Sequence, residues 1–92
     1  MTQVDVSVTD DVRHLEGLAA ELPGEYETRL VIAHGRRPRL HVRNLSADAL
    51  AEDVLVEGGW FWYSFAERIA PVTEAATAAG KIARVLRSVD QQ

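Results

Sequence analysis

Few residues in this chain have types and spacings suited to chemistry. His14, His34 and His41 are the only imidazoles, and there is no cysteine, which removes disulfides, thiolate metal sites and a thiol nucleophile. His34 and His41 fall within one candidate hairpin, but one is even-numbered and the other odd. On extended backbone they project to opposite faces, with no carboxylate at ligand spacing beside them. Solvated histidines are the reading, and no metal or cofactor is expected. Glu52 and Asp53 precede an aromatic segment and Glu67 follows it. A carboxyl group in an apolar pocket has a raised pKa and can act in acid–base work, yet Glu67 followed by Arg68 reads more simply as polar contacts at a surface or interface. Gly80-Lys81 in "AAGKIA" lacks the upstream glycine and the Ser/Thr of a phosphate loop and lies inside a helical pattern. No G-x-S-x-G elbow occurs. No catalytic residue is assigned.

Two constellations remain. The net charge of −4 is unevenly spread: residues 1–28 hold seven acids and one base, whereas 29–43 hold Arg29, Arg36, Arg37, Arg39 and Arg43 and no acid. The acidic balance argues against a protein that coats nucleic acid or an anionic membrane. Locally, Arg36, Arg37 and Arg39 are candidate contacts for an anion or for nucleic acid, since a two-stranded ribbon can enter a major groove. The simpler reading pairs these arginines with acids of the flanking segments.

The second constellation is "GGWFWYSFAERIA", residues 58–70, which carries Trp60, Phe61, Trp62, Tyr63 and Phe65, five of the six aromatic rings in the chain. A strand sends alternate side chains to opposite faces. Trp60, Trp62 and Ser64 then share one face, and Phe61, Tyr63 and Phe65 the other. One set can fill a core; the set facing away makes an apolar patch of the kind that marks partner sites.

The elements that must position these residues follow from spacing. Val4, Val6 and Val8 alternate with polar residues, so residues 1–8 read as a frayed or short extra strand. "TDDVRHLEGLAAELPG" predicts a helix, with Thr9 or Asp10 as cap, an apolar stripe at Val12, Leu15, Leu18, Ala19 and Leu22, and Pro23-Gly24 as stop. Gly17 within it suggests a close approach. "EYETRLVIAHGRRPRLHVRN" predicts a hairpin with Ile32 opposite Leu40 and Leu30 opposite Val42. That register leaves Gly35-Arg36-Arg37 as the loop and sets Arg29 across from Arg43, a like-charge pair. Asn44–Ala49 reads as a linker. Val54–Val56 and the aromatic run form a second hairpin about Gly58-Gly59, with Val56 facing Phe61, Leu55 facing Trp62 and Val54 facing Tyr63. "ERIAP" closes it. "VTEAATAAGKIARVLRSVDQQ" predicts a helix capped by Thr73, with Ala75, Ala76, Ala79, Ile82, Ala83 and Leu86 as its buried stripe; residues 89–92 form a loose tail.

Ninety-two residues support one core and so one domain, 1–92. The expected fold is α+β, a two-layer sandwich of order α-β-β-β-β-α. Its sheet has four antiparallel strands, with both helices packed on one face. Apolar runs fall far short of the ~20 residues that span a bilayer. "MTQVDVSVTDD" lacks the basic start and apolar stretch of a secretory signal, so the cytoplasm is the expected location.

Along residues 38–88 the chain resembles small uncharacterised actinobacterial proteins. These carry a tryptophan-rich strand end followed by Glu and Ile, an alanine-rich helix ending in I-A-R-V-L, and an upstream L-x-V-x-N segment. The matching residues are Trp60, Trp62, Ser64, Phe65, Glu67 and Ile69, then Ile82–Leu86, with Leu40, Val42 and Asn44 before them. The resemblance implies no particular activity. In architecture the chain is also similar to small acidic secretion chaperones, dimers that hold extended peptides on a helix-and-sheet surface, a likeness of fold alone.

The function expected is therefore a non-enzymatic interaction or regulatory domain, a homodimer or the binder of another protein. Trp60 and Trp62 would be its anchors, since indoles dominate binding hot spots, and Glu67 and Arg68 its polar rim. The alternative is a small-ligand or enzymatic pocket between the sheet and the C-terminal helix, with Glu67 or a histidine as its polar group.

Overall fold

The computed structural model describes residues 6–33 and 35–87. Helix α1 (Val6–Glu21) leads into five strands, β1 (Tyr26–Val31), β2 (Arg39–Asn44), β3 (Ala47–Glu57), β4 (Trp60–Tyr63) and β5 (Arg68–Pro71), and helix α2 (Ala75–Val85) closes the chain. The strands form one antiparallel meander in the order β1-β2-β3-β4-β5. The architecture is α+β as expected, with five strands instead of four.

The longer third strand and the added fifth both come from segments whose composition disfavours strand. Asn44–Ala49 is not a linker, because β3 already begins at Ala47 and runs for 11 residues. Alanine, aspartate and glutamate have weak strand preferences, but Ala47 and Ala51–Val54 pair with β2, and that ladder overrides local propensity. The β2–β3 turn is closed by the Asn44 side chain, whose Oδ1 accepts the Ser46 N–H at 2.8 Å, an Asx turn. Likewise "ERIAP" does not merely end the aromatic strand: Arg68–Pro71 is itself the edge strand β5. Pro71 offers no N–H along that edge, which discourages further strand pairing there.

The β1–β2 register differs from the expected one by two residues. Leu30 pairs with Leu40, Thr28 with Val42 and Glu27 with Arg43. A two-residue slip keeps every side chain on its predicted face but replaces the Arg29–Arg43 clash by an ion pair, Arg43 Nη2 to Glu27 Oε1 at 2.9 Å. The connection lengthens to residues 32–38, and Ile32, expected on the apolar face, is exposed within it.

The helices depart from expectation mainly at their ends. Val6 and Val8 belong to α1, not to a strand; Val4 and the tail 89–92 lie outside the described residues. Nothing lies within 4 Å of where a Cβ on Gly17 would stand, so that glycine serves no close approach. At α2 the cap position is Glu74, without a side-chain cap bond, in place of Thr73.

The core is continuous between the two helices and one face of the sheet. Leu15 and Leu18 of α1 and Ala78, Ala79 and Ile82 of α2, with Leu86 just beyond, cluster with Tyr26, Leu40, Val42, Val54, Val56, Phe61 and Tyr63. Side-chain hydrogen bonds fasten α2 and the residue just after it to the sheet, Lys81 Nζ donating to Ile69 O at 2.9 Å. The Tyr26 hydroxyl donates to Ala83 O at 3.0 Å, and Asn44 Nδ2 donates to Leu86 O at 2.7 Å. Asn44 is fully buried, and its two described bonds supply what burial of an amide requires. Among the described residues no element covers the other face of the sheet.

Candidate protein-interaction surface

The β3–β4 hairpin decides which rings face the helices. Gly58 and Gly59 take φ of 60° and 79°, the positive pair that a two-residue primed turn needs and that glycine adopts without steric cost. The turn sets Val56 opposite Phe61, Leu55 opposite Trp62 and Val54 opposite Tyr63, the register expected from the sequence. Phe61 and Tyr63 are buried under the helices. Trp60 and Trp62 alternate with them and are half-buried on the uncovered face, where Leu55 also lies.

The β4–β5 turn then returns Arg68 across the indoles. Tyr63 N–H donates to Glu67 O at 2.8 Å and Ala66 N–H to Tyr63 O at 3.0 Å. Ala66 takes φ of 67°, a left-handed conformation uncommon outside glycine and asparagine. Arg68 is opposite Trp62, with an irregularity between Phe61 and Trp62. Its guanidinium carbon stands 4.7 Å from the Trp60 ring centroid and 5.9 Å from that of Trp62. Such cation–π contacts are worth about 0.5–1 kcal/mol at exposed sites. Trp62 Nε1 donates to Glu57 O at 2.9 Å. Both indoles are thus held in place by contacts within the chain.

Beyond the indoles the same face becomes ionic. Arg37 pairs with Glu57 at 3.0 Å, Arg39 with Asp53 at 3.6 Å, and Arg43 with both Glu27 and Asp48. The Arg43 guanidinium holds the Glu27 carboxyl below its usual range, first by hydrogen bonding and then by charge. Of the three arginines expected to contact an anion, Arg37 and Arg39 are committed to carboxylates, and Arg36 is exposed in the 32–38 connection. His41 Nδ1 lies 2.8 Å from Asp53 Oδ1, a pairing that the sequence reading missed. It was accessible in principle, because both residues are odd-numbered on neighbouring strands. His14 lies in α1 and His34 outside the described residues. Among the described residues no three His, Cys, Asp or Glu side chains converge as a metal site would need.

The residues expected to form the docking site therefore separate. Trp60, Trp62 and Arg68 stand together on the open face, joined by Leu55 and by Pro71 opposite Trp60. Glu67 instead lines a hollow with Tyr63, Lys81 and Arg84, which Arg68 also borders. Tyr63 is the strongly shifted group there: burial foremost, then the charges of Glu67 and Glu52, push its hydroxyl up to about 12. Phe65 leaves both faces, stacking on Tyr63 at 5.0 Å between centroids with its own ring largely exposed.

The chain matches no family model, no curated protein and no solved structure. What it does has to be read from this surface. Among the described residues no helix is long and apolar enough to cross a membrane.

Proposed function

We propose that this chain is a non-enzymatic protein-interaction or regulatory domain of the cytoplasm. Its partner docks on the open sheet face around Trp60 and Trp62, and that partner is foremost a second copy of the chain. The observation that carries this reading is the placement of the two indoles. The two largest side chains in the protein lie outside the core cluster, half-covered, with Arg68 across them and nothing described above them. Aromatic and arginine side chains are the groups enriched at interface centres. Charges lie toward the other edge of the face, where a polar rim gives register more than affinity. A two-fold arrangement brings each indole pair and its arginine against the same groups of the other copy, as an isologous dimer requires.

The test is the solution mass of the wild type and of Trp60→Ala/Trp62→Ala, measured by light scattering alongside circular dichroism. The expected result is a dimeric wild type and a folded, monomeric variant. A folded variant that retains the dimer mass removes the indoles from the interface, and a wild type monomeric at high concentration removes self-association altogether.

A further inference from the structure

The two edges of the sheet are finished differently. The β5 edge is four residues long, ends in Pro71, and has its Ile69 carbonyl taken by Lys81 Nζ at 2.9 Å. A short strand, a proline and a covering lysine all hinder the addition of a further strand. The β1 edge has none of these. Tyr26–Val31 is six residues long, without proline, lysine or glycine, and its ladder to β2 runs without a bulge.

The ladder fixes which backbone groups of β1 point outward. Leu45 N–H donates to Glu25 O at 3.0 Å, and Tyr26 N–H turns back to Pro23 O at 3.1 Å. Hydrogen-bonded and non-bonded pairs alternate along an antiparallel ladder. Glu27, Arg29 and Val31 therefore bond to β2, and the N–H and C=O groups of Thr28 and Leu30 point away from it. No hydrogen bond among the described residues takes those four groups. They stand two residues apart, the spacing to which an added antiparallel strand bonds.

The side chains beside this row select what can be added. On the helix side, Leu30 is half-buried at the margin of the core, and Ile32, just past the strand, is 61% exposed. On the open face Arg29 is exposed, with no ion pair among the described residues. It borders a shallow hollow with Val31, Arg39, His41 and Asp53, whose one carboxylate, Asp53, already pairs with Arg39 and His41. An added strand thus meets apolar surface on one side and unanswered positive charge on the other. A second copy of β1 is the poorer occupant. The carboxylate it would set against Arg29 is Glu27, which Arg43 already holds through two hydrogen bonds.

We propose that β1 is a strand-addition site for an extended segment of another protein. The segment runs antiparallel to β1, with an acid opposite Arg29 and apolar residues opposite Thr28 and Leu30. β1 lies three strand positions from β4, about 14 Å at ordinary strand spacing. The site is therefore separate from the indoles and works with or without a partner on them.

The test is amide NMR of the full ¹⁵N-labelled chain titrated with two peptides, Ac-Thr-Val-Glu-Val-Thr-NH2 and Ac-Thr-Val-Lys-Val-Thr-NH2. In the free chain the Thr28 and Leu30 amides should exchange rapidly with solvent. The glutamate peptide is expected to give saturable shifts within residues 26–32 and to slow exchange at those two amides. The lysine peptide should bind about two- to five-fold more weakly, the worth of one cross-strand charge pair, and Arg29→Glu should invert that preference. Thr28→Pro removes only an outward N–H, a change that edge strands tolerate; with its fold checked by its own spectrum, it should abolish binding. Trp60→Ala/Trp62→Ala should leave binding unchanged. The proposal is overturned by Thr28 and Leu30 amides already protected in the free chain, by the absence of saturable shifts, or by shifts centred on Trp60 and Trp62. Equal binding of the two peptides also overturns it, as does a Thr28→Pro variant of smaller solution mass than the wild type, which would put a second copy on this edge.

Discussion

The two faces of the β3–β4 hairpin are built from neighbouring residues and do opposite things. On the helix side Val54, Val56, Phe61 and Tyr63 are buried against α1 and α2. Across the same backbone Leu55, Trp60 and Trp62 face away from both helices and remain half-covered. The bulkier rings are on the open side. Burial of apolar area drives folding wherever a cover exists, and here the cover, α2, brings Ala78 and Ala79 to the sheet. A helix face that small lies close and leaves the core to medium-sized rings. The indoles find no matching cover within the chain, and Arg68 and ion pairs partly screen them from water. Strand alternation thus yields one covered face and one open face from four consecutive aromatic residues.

That division can be broken most forcefully from the helix side. Phe61→Ala should destabilise the fold by about 3–5 kcal/mol, a large part of the ~5–15 kcal/mol that holds a domain. Trp62→Ala should cost much less, because its ring lies outside the core cluster. Denaturant midpoints of the two variants measure the contrast, and equal losses would erase it.

High pH probes the helix side without mutation. Tyr63 is pushed from 10.0 to about 12 in the folded protein, and Tyr26 is also raised, by burial foremost and then by Glu25. A raised folded value means stability that is whole below pH 10, where folded and unfolded phenols are both protonated. It is lost as pH climbs toward 12, because the unfolded chain ionises first. The loss attributable to Tyr63 is at most about 2–3 kcal/mol. Melting temperature should fall steeply in that window, with phenolate absorbance rising only as the fold opens. Phenolate appearing near pH 10 while the protein stays folded would place Tyr63 in an open environment.

Asn44→Ala tests how the covering helix is held. It removes the donor to Leu86 O and the acceptor that closes the β2–β3 turn, leaving a buried carbonyl unpaired at about 1–3 kcal/mol. Hydrogen exchange should rise first at the end of α2 and in the 44–47 turn. Uniform acceleration across the sheet would show instead that the amide supports the whole core. The smallest effect belongs to the open face: Arg68→Ala should cost about 0.5–1 kcal/mol while shifting tryptophan fluorescence, because the guanidinium leaves both rings. A larger loss would mean that the indole cluster holds the sheet together and is not a surface feature.

Much of this arrangement was legible before any coordinates. Glycine pairs admit positive φ, so Gly58-Gly59 specified a tight hairpin and its register, and with it the opposite facing of the indoles and of Phe61 and Tyr63. The apolar stripe of α1 was readable at Leu15 and Leu18, and that of α2 at Ala79, Ile82 and Leu86. The strand residues Ala47–Asp53 and Arg68–Pro71 were not, because neither segment carries much strand propensity of its own. The β1–β2 register went astray because apolar matching allows slips of two residues, and only the Glu27–Arg43 pair distinguishes one from another. At the candidate sites, parity placed Trp60 and Trp62 side by side. The bend at Ala66 that sends Arg68 to the indoles and Glu67 to Tyr63 has no signature in residue type, since alanine rarely takes positive φ.

By itself, then, the sequence determined the local geometry: which segments are helical, where the aromatic hairpin turns, and which rings share a face. These follow from short-range sterics and periodicity, which act between residues close in the chain. Tertiary structure alone decided which of the two aromatic faces is covered and which polar groups are left unpaired. Alanine-rich α2 settles against Phe61 and Tyr63, leaving the indoles outside and the Tyr63 hydroxyl without a partner. The physical reason is that cover and hydrogen-bond satisfaction depend on what distant segments bring to a surface, and no local pattern records that.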